Sequence, residues 1–419
     1  MSVLPDVRPP TEPSAPEGEG PLAGLRVLEL GGFIAAPFTT RLFADFGAEV
    51  IKVERPGSGD ELRGWRRIRG DTSMMFRTVA RNKKSLTLDL STEQGRSILL
   101  GLLAHTDVLV ENLRPGALER WNLGVEQLAE AKPDIVVVRI SGYGQTGPYR
   151  DRAGFGGIAE AFGGLRAVTG YPDRPPVRSA APVADCLAGL YGAAGALMVL
   201  LGQARRTVKP GPQVVDVALY EAVFMLMESL IPDYDAHGIV RERTGGSLLG
   251  VVPSGIYPTA DDQDVMIAGN SSGAFSRLMR LIGRDDLADD PTLVDADARW
   301  KREREIEAAI RTWTSHHSVR DAVGRLADAG VPAGPIYDAR AIAEDPHYAA
   351  RDMLNAFELE FDGARQRVRF PGVVPRLPDA PGAVRTAGPQ LGEHTDALLG
   401  ELLGLDRAQI ARLRDEGVI

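Results

Sequence analysis

Short apolar runs alternate with amphipathic stretches along the first half of the chain, and the alternation carries most of the fold. Leu25 to Leu30 reads as a strand. A glycine-containing turn, a helix with Pro37 at its start and Gly47 at its end, and a second strand from Val50 to Val53 complete a βαβ unit. The order recurs, with a helix from Thr92 to Leu103 before a strand at Val108 to Val110, and a helix from Val125 to Ala131 before a strand at Ile135 to Ile140. A long apolar helix starts near Asp185 and leads through the turn Val208-Lys209-Pro210-Gly211-Pro212 into a strand at Val214 to Val217, then a further apolar helix at Glu221 to Leu230. Such alternation predicts a parallel sheet with helices on both faces. After His237 the texture changes to a Gly-rich segment around Gly245 and Gly246, a short strand near Val265 to Ala268 and charged amphipathic helices through Ala329. From Asp345 the chain is extended and Pro-rich, ending in a helical pair at Ala397 to Leu403 and Arg407 to Arg414 that is expected to return to the first domain.

With 419 residues and 44% hydrophobic positions, two cores can form. The predicted division is a disordered tail over 1–20, a large domain over 21–235, a small domain over 236–340 and a return segment over 341–419. A net charge of −9 with interspersed bases argues against a nucleic-acid partner. The single cysteine, Cys186, excludes an internal disulfide or cysteine-based metal cluster and suits the cytoplasm. Met1 to Gly20, rich in Pro, Glu, Gly and Ser, has no apolar run of a signal peptide. Ala188 to Gln203 is uncharged but falls short of a membrane span, so it is expected to be a buried helix without a membrane partner.

Asp185 stands out because a carboxylate heads this apolar helix. It could cap free amides at the helix start, or it could attack an activated carbonyl and form a covalent acyl intermediate. Glu54 ends the second strand where a ribose-binding acid would sit, yet Gly31-Gly32-Phe33-Ile34-Ala35-Ala36-Pro37 lacks the G-x-G-x-x-G spacing. No phosphate-loop or H-E-x-x-H motif occurs, so no metal is expected. Gly269-Asn270-Ser271-Ser272-Gly273 matches G-x-S-x-G between a strand and a helix, which keeps a serine hydrolase or thioesterase using Ser271 as an alternative. Against it, the large sheet lies upstream and no H-G-G-G segment precedes the serine. A basic cluster of Arg63, Arg66, Arg67, Arg69, Arg77, Arg81, Lys83 and Lys84 is either a solvated face or a polyphosphate site.

Seven blocks in order resemble the class III CoA-transferases, the group of formyl-CoA transferase, carnitine-related CoA-transferases and α-methylacyl-CoA racemases. They are Gly47 to Pro56, Asn82 to Leu90, Val110 to Gly116, Gly142 to Pro148, the Asp185 segment, Val331 to Pro335 and Leu391 to Thr395. The resemblance runs from Pro21 to the C-terminus. It implies an α/β fold with a Rossmann-like large domain whose parallel sheet is formed from both chain ends, a smaller inserted α+β domain, and a homodimer of interlocked rings. It implies Asp185 as the nucleophile, with coenzyme A or acyl-CoA and a small carboxylic acid as substrates and no permanently bound cofactor. By position, Arg55 and Arg120 resemble the residues that hold the CoA phosphates and adenine; Ile34, Ala35, Leu88, Asp89, Asn112, Leu113 and Arg114 line the rest of the CoA path. Arg152, Ala153, Gly154 and Phe155 would lie near the pantetheine. Gly245, Gly246, Gly269, Ser271 and Gly273 are the candidates for a covering loop. The racemases carry a catalytic His thirty residues before the Asp, where this chain has Phe155. Acyl-CoA racemase or isomerase is thus the disfavoured alternative. Gly156 and Met75 also depart from the family pattern, and Gly269 to Phe275 with Val331 to Pro335 look most like members acting on dicarboxylates and branched or hydroxylated acids.

Overall fold

The computed structural model describes residues 19–70, 72–248 and 250–419. The tail expected over 1–20 lies, up to residue 18, outside the described residues, as do Asp71 and Leu249. The chain forms two compact units. The first takes the residues up to Leu165, Ser179–Glu228 and His347–Ile419; the second takes Arg166–Arg178 and Ser229–Pro346.

In the first unit, β1 (Arg26–Glu29), α1 (Ala35–Asp45), β2 (Glu49–Glu54), β3 (Lys83–Thr87), α2 (Glu93–Leu103), β4 (Val108–Glu111), α3 (Val125–Ala131), β5 (Val136–Ser141), α4 (Gly156–Phe162), α5 (Val183–Ala204), β6 (Gln213–Ala218) and α6 (Leu219–Phe224) follow in order. The six strands are parallel in the order β3-β2-β1-β4-β5-β6. Strand alternation divides the core. Val27, Val50, Val108 and Val136 point toward α1 and α5, whereas Leu28, Ile51, Leu109 and Val137 point toward α2 and α3.

In the second unit, α7 (Leu230–His237), β7 (Ser254–Pro258), β8 (Asp264–Ala268), α8 (Ser272–Leu281), α9 (Glu303–Thr314), α10 (Val319–Asp328) and β9 (Ala333–Pro335) build a three-stranded antiparallel sheet backed by helices. The returning segment adds a hairpin of β10 (Leu354–Phe361) and β11 (Ala364–Pro371) and the helices α11 (Thr395–Leu403) and α12 (Arg407–Asp415) to the first unit.

The parallel sheet expected from both chain ends is drawn wholly from strands between Arg26 and Ala218, since the returning segment forms its own hairpin and helices and adds no strand to it. Three further expectations are corrected. The helix expected over Glu221 to Leu230 is two helices, α6 and α7, because Glu228 adopts a left-handed backbone (φ 50°) between them. The helix α5 runs 22 residues, and the mean hydropathy of 1.7 in its apolar window makes it long and apolar enough to cross a membrane; a third of that window is buried. It is therefore not a fully buried helix. One face packs closely on α1, where a β-carbon at Gly189 would stand 2.9 Å from the Phe38 ring, and the other exposes Leu190, Leu197, Met198 and Leu201.

The third correction concerns the basic cluster, which is neither a solvated face nor a phosphate site as a whole. Lys83 is buried on β3 and donates to Glu29 Oε2 (2.8 Å) and the Pro37 carbonyl (2.7 Å). Arg63 is buried against Glu54, and Arg81, fully buried, pairs with Asp45 at 2.6 Å. Lys84 pairs with Glu49. Only Arg66, Arg67 and Arg69 in that run are exposed. Lys83, Arg63, Arg81 and Lys84 serve as counter-ions to carboxylates on β1, β2 and α1, since a buried acid without a partner would be strongly destabilising.

The edge strand β3 is closed by the returning chain. The Ser85 amide donates to His394 Nδ1 (3.3 Å), the Thr87 amide to Thr395 Oγ1 (3.0 Å), and the His394 amide returns a bond to the Ser85 carbonyl (3.0 Å). The block Leu391 to Thr395 thus satisfies a sheet edge that would otherwise invite pairing with another chain.

Candidate active site

The sheet order 3-2-1-4-5-6 places a topological switch between β1 and β4, where successive connections leave in opposite directions and ligands settle beyond the carboxyl ends of the strands. The loops after β1 and β4 are tied together there. Asn112 Nδ2 donates to the Gly32 carbonyl and its Oδ1 accepts from the Gly32 amide, both at 2.9 Å. The next residue, Phe33, has a left-handed backbone (φ 58°), which is costly for a bulky side chain. It is held by Asp60, whose Oδ1 accepts from the Phe33 amide (3.0 Å) and whose Oδ2 pairs with buried Lys52 (2.8 Å).

Lys52 also donates to Glu29 Oε1 and the Gly31 carbonyl. Burial works to raise the Glu29 carboxyl, but Lys52 and Lys83 outweigh it and hold the group at about 2. Burial and the Lys52 charge push Lys83 down to about 8 despite Glu29. The pinned loop therefore rests on a charged, buried base.

Phe33 turns its ring edge-on to Trp65 (centroids 5.8 Å) and to Phe155 (6.1 Å). Phe155 is 67% exposed and immediately precedes α4. The first residue of α4 is Gly156, and a β-carbon there would lie 2.3 Å from Asp185 Oδ2. The carboxylate of Asp185 thus occupies the space that any other residue at 156 would fill. From Asn112 through Gly32, Phe33, Phe155 and Gly156 to Asp185, the contacts are continuous.

Asp185 is the third residue of α5. The N-cap position belongs to Pro182, which has no side chain to cap it, and Asp185 lies inside the first turn rather than at the N-cap. One turn later a β-carbon at Gly189 would stand 3.0 Å from the Ala35 carbonyl oxygen, which places the start of α5 beside the start of α1. Burial foremost, and then the Asp185 charge, push the neighbouring Cys186 thiol up to about 11, so it stays protonated and weakly nucleophilic.

The residues assigned to CoA by resemblance follow the same sheet edge. Leu88 and Asp89 follow β3, Arg55 follows β2, Ile34 and Ala35 follow β1, and Asn112, Leu113 and Arg114 follow β4. Arg55, Arg114 and Arg120 are exposed, while Ile34, Ala35 and Leu88 are buried and could offer a ligand mainly backbone. The Asp89 carboxyl is held below its ordinary value by the Ser91 hydroxyl and amide, with the Arg55 charge adding to the effect. Arg152 stacks over the Tyr149 ring at 3.6 Å, and Arg152, Ala153 and Phe155 are exposed in the loop closed at its neck by Gly142 and Gly154. Gly245, Gly246, Gly269, Ser271 and Gly273 belong to the second unit. Residue reading missed Phe33, Asp60 and Trp65; the one available signal was a bulky pair, Phe33-Ile34, where a phosphate turn would carry glycine.

Ser271 is the N-cap of α8, its hydroxyl accepting from the Ala274 amide. Among the described residues, His316 bonds to the Thr312 carbonyl, His317 stacks on Trp313 and His394 accepts from Ser85, so these histidines are engaged elsewhere. Ser271→Ala is expected to cost about 1 kcal/mol of stability through the lost cap and to leave turnover within about threefold. A melting curve and an exchange assay on one preparation check this, and loss of turnover would restore the hydrolase reading.

Residues 22–395 match the family model described as CoA-transferase family III. The chain is 45% identical over 401 residues to the succinyl-CoA–D-citramalate CoA-transferase of Chloroflexus aurantiacus, an alignment spanning 95% of this chain and 98% of that one. It is 40% identical over 403 residues to the succinyl-CoA–L-malate CoA-transferase beta subunit of the same organism, again spanning 95% and 98%. A CaiB/BaiF family protein from Brucella suis has a similar structure, with a TM-score of 0.80 at 31% identity over 92% of this chain and 100% of that one.

Proposed function

The chain belongs to CoA-transferase family III and is an acyl-CoA:carboxylate CoA-transferase; from that premise we propose that it acts on dicarboxylic acids and that Asp185 carries CoA between a succinyl-CoA-like donor and a hydroxylated dicarboxylic acceptor. The observation that supports Asp185 as the reacting group is its carboxylate lying against Gly156 at the switch-point edge of the sheet. An Asp185 oxygen attacks the donor thioester carbonyl, the C–S bond breaks, and CoA leaves as thiolate from a mixed anhydride. The thiolate then attacks the Asp185 carbonyl and releases the donor acid as carboxylate, leaving an aspartyl-CoA thioester. The acceptor carboxylate attacks that thioester, and the returning thiolate takes the acceptor acyl group, regenerating Asp185. No proton or water enters the balance, and water must be kept out because it would hydrolyse the anhydride. Phe33, Trp65 and Phe155 supply an apolar wall suited to that exclusion.

A racemase needs two proton-transfer groups, and the hydrocarbon ring of Phe155 cannot be one. The exposed apolar face of α5 supports a homodimer of interlocked chains, which light scattering would detect as twice the chain mass.

Succinyl-CoA offered with malate, citramalate, glutarate and acetate should give exchange with the dicarboxylates well above acetate. Equal rates with acetate would remove the dicarboxylate reading. Arg55→Ala is expected to weaken CoA by roughly tenfold to a hundredfold, the loss of a charge-assisted phosphate contact worth about 1.5–3 kcal/mol. Arg66→Ala should matter less. Calorimetry showing unchanged CoA affinity in Arg55→Ala would detach Arg55 from the binding path without touching Asp185.

A further inference from the structure

A cavity of about 410 Å3 in the first unit opens at the amino ends of the strands, the edge opposite the reacting one. It spans the starts of β3, β2 and β1 and reaches His105 ahead of β4, three interstrand spacings or roughly 14 Å. Its floor is a charge arrangement with two cations on one acid. Glu49 accepts from Arg26 Nε through Oε2 (2.5 Å) and pairs with Lys84 Nζ through Oε1 (2.7 Å). Arg26 gives Nη1 to the His105 carbonyl, and among the described residues its Nη2 has no protein acceptor. At the opposite flank His394 accepts from the Ser85 amide on Nδ1, which in the neutral ring puts the proton on Nε2 and makes that atom a donor. Leu25, Ala48 and Val50 add an apolar middle.

We propose that this cavity is a second binding site, separate from the reacting edge, for a small dicarboxylate. Its flanks offer the donors Arg26 and His105 on one side and His394 on the other, with an apolar stretch and a neutralised acid between them. A ligand with an anionic group at each end and methylenes between them matches that distribution; a single compact phosphate matches one flank only. With Lys83 neutralised by Glu29 beneath the lining, Arg26, Lys84 and Arg385 against Glu49 and Glu393 leave a small positive balance in a protein of net charge −9. The inference rests on the cavity alone and stands apart from the reaction assigned to Asp185.

Calorimetric titration of the whole protein with succinate, inorganic phosphate and acetate at fixed ionic strength tests it. Succinate should bind more tightly than the other two. His105→Ala should weaken succinate by about tenfold, the loss expected for one charge-assisted contact, with CoA exchange unchanged. Arg26→Gln should do the same; if losing the Glu49 pair prevents folding, His105→Ala decides alone, since among the described residues the exposed His105 ring holds no other group. Succinate affinity unaltered in His105→Ala, no succinate binding to the parent, or phosphate binding as tightly as succinate would each overturn the proposal.

Discussion

Asp185→Asn is expected to lower CoA exchange by at least about a thousandfold, the scale seen when a covalent nucleophile is removed. The amide keeps the shape of the side chain and the packing of α5 on α1, so the melting temperature and CoA affinity should stay close to the parent. What disappears is the anionic oxygen that attacks the thioester. Incubating the parent with succinyl-CoA and then hydroxylamine should convert Asp185 to a hydroxamate visible by peptide mass spectrometry, and the same peptide of the Asp185→Asn variant should remain unmodified. Turnover in the variant above about a tenth of the parent rate would mean that another group carries the acyl transfer.

Gly156→Ala is expected to cost about a hundredfold in turnover while leaving the fold intact, because displacing a reacting group by about an ångström can cost that much. The new methyl would stand 2.3 Å from Asp185 Oδ2, well inside contact distance, and the carboxylate has to swing away. The backbone of Gly156 is helical, and alanine suits a helix at least as well, so thermal stability should hold or rise slightly. Because Gly156 is not among the residues assigned to CoA, CoA affinity should change little. Stopped-flow measurement of aspartyl-CoA formation would separate the two quantities. A variant as fast as the parent would show that the carboxylate reacts from a different position.

The alternating apolar runs made most of the parallel sheet legible, because strands buried on both faces read as continuous Val, Ile and Leu. The strand β3 was not legible. Its Lys83 and Lys84 look like surface residues, and the acids that neutralise them, Glu29 and Glu49, lie on β1 and β2, far away in sequence. The same long separation hid the role of Arg81, whose partner Asp45 ends α1.

Asp185 was visible because a lone carboxylate heads an otherwise apolar helix. Gly156 was visible only as a departure from relatives, since the reason for a glycine there is the position of a side chain twenty-nine residues later. Phe33 stood out only as a bulky residue where a phosphate turn would carry glycine, and its backbone could not be read at all. Nothing in a sequence says that a phenylalanine will take a left-handed backbone until the Asp60–Lys52 pair that holds it is known.

The closure of β3 by His394 and Thr395 also sets an order of events during synthesis. When β1 to β6 have left the ribosome, the outer amides of Ser85 and Thr87 still await partners some 300 residues downstream. Arg81 and Asn82 wait likewise for Gly372 and Ala383, and Asp89 for Val418, the penultimate residue. The first unit to begin is therefore the last to be finished. A nascent chain stalled near residue 340 would carry an open sheet edge and an unclosed core, a substrate for chaperones and proteases until the final helix arrives.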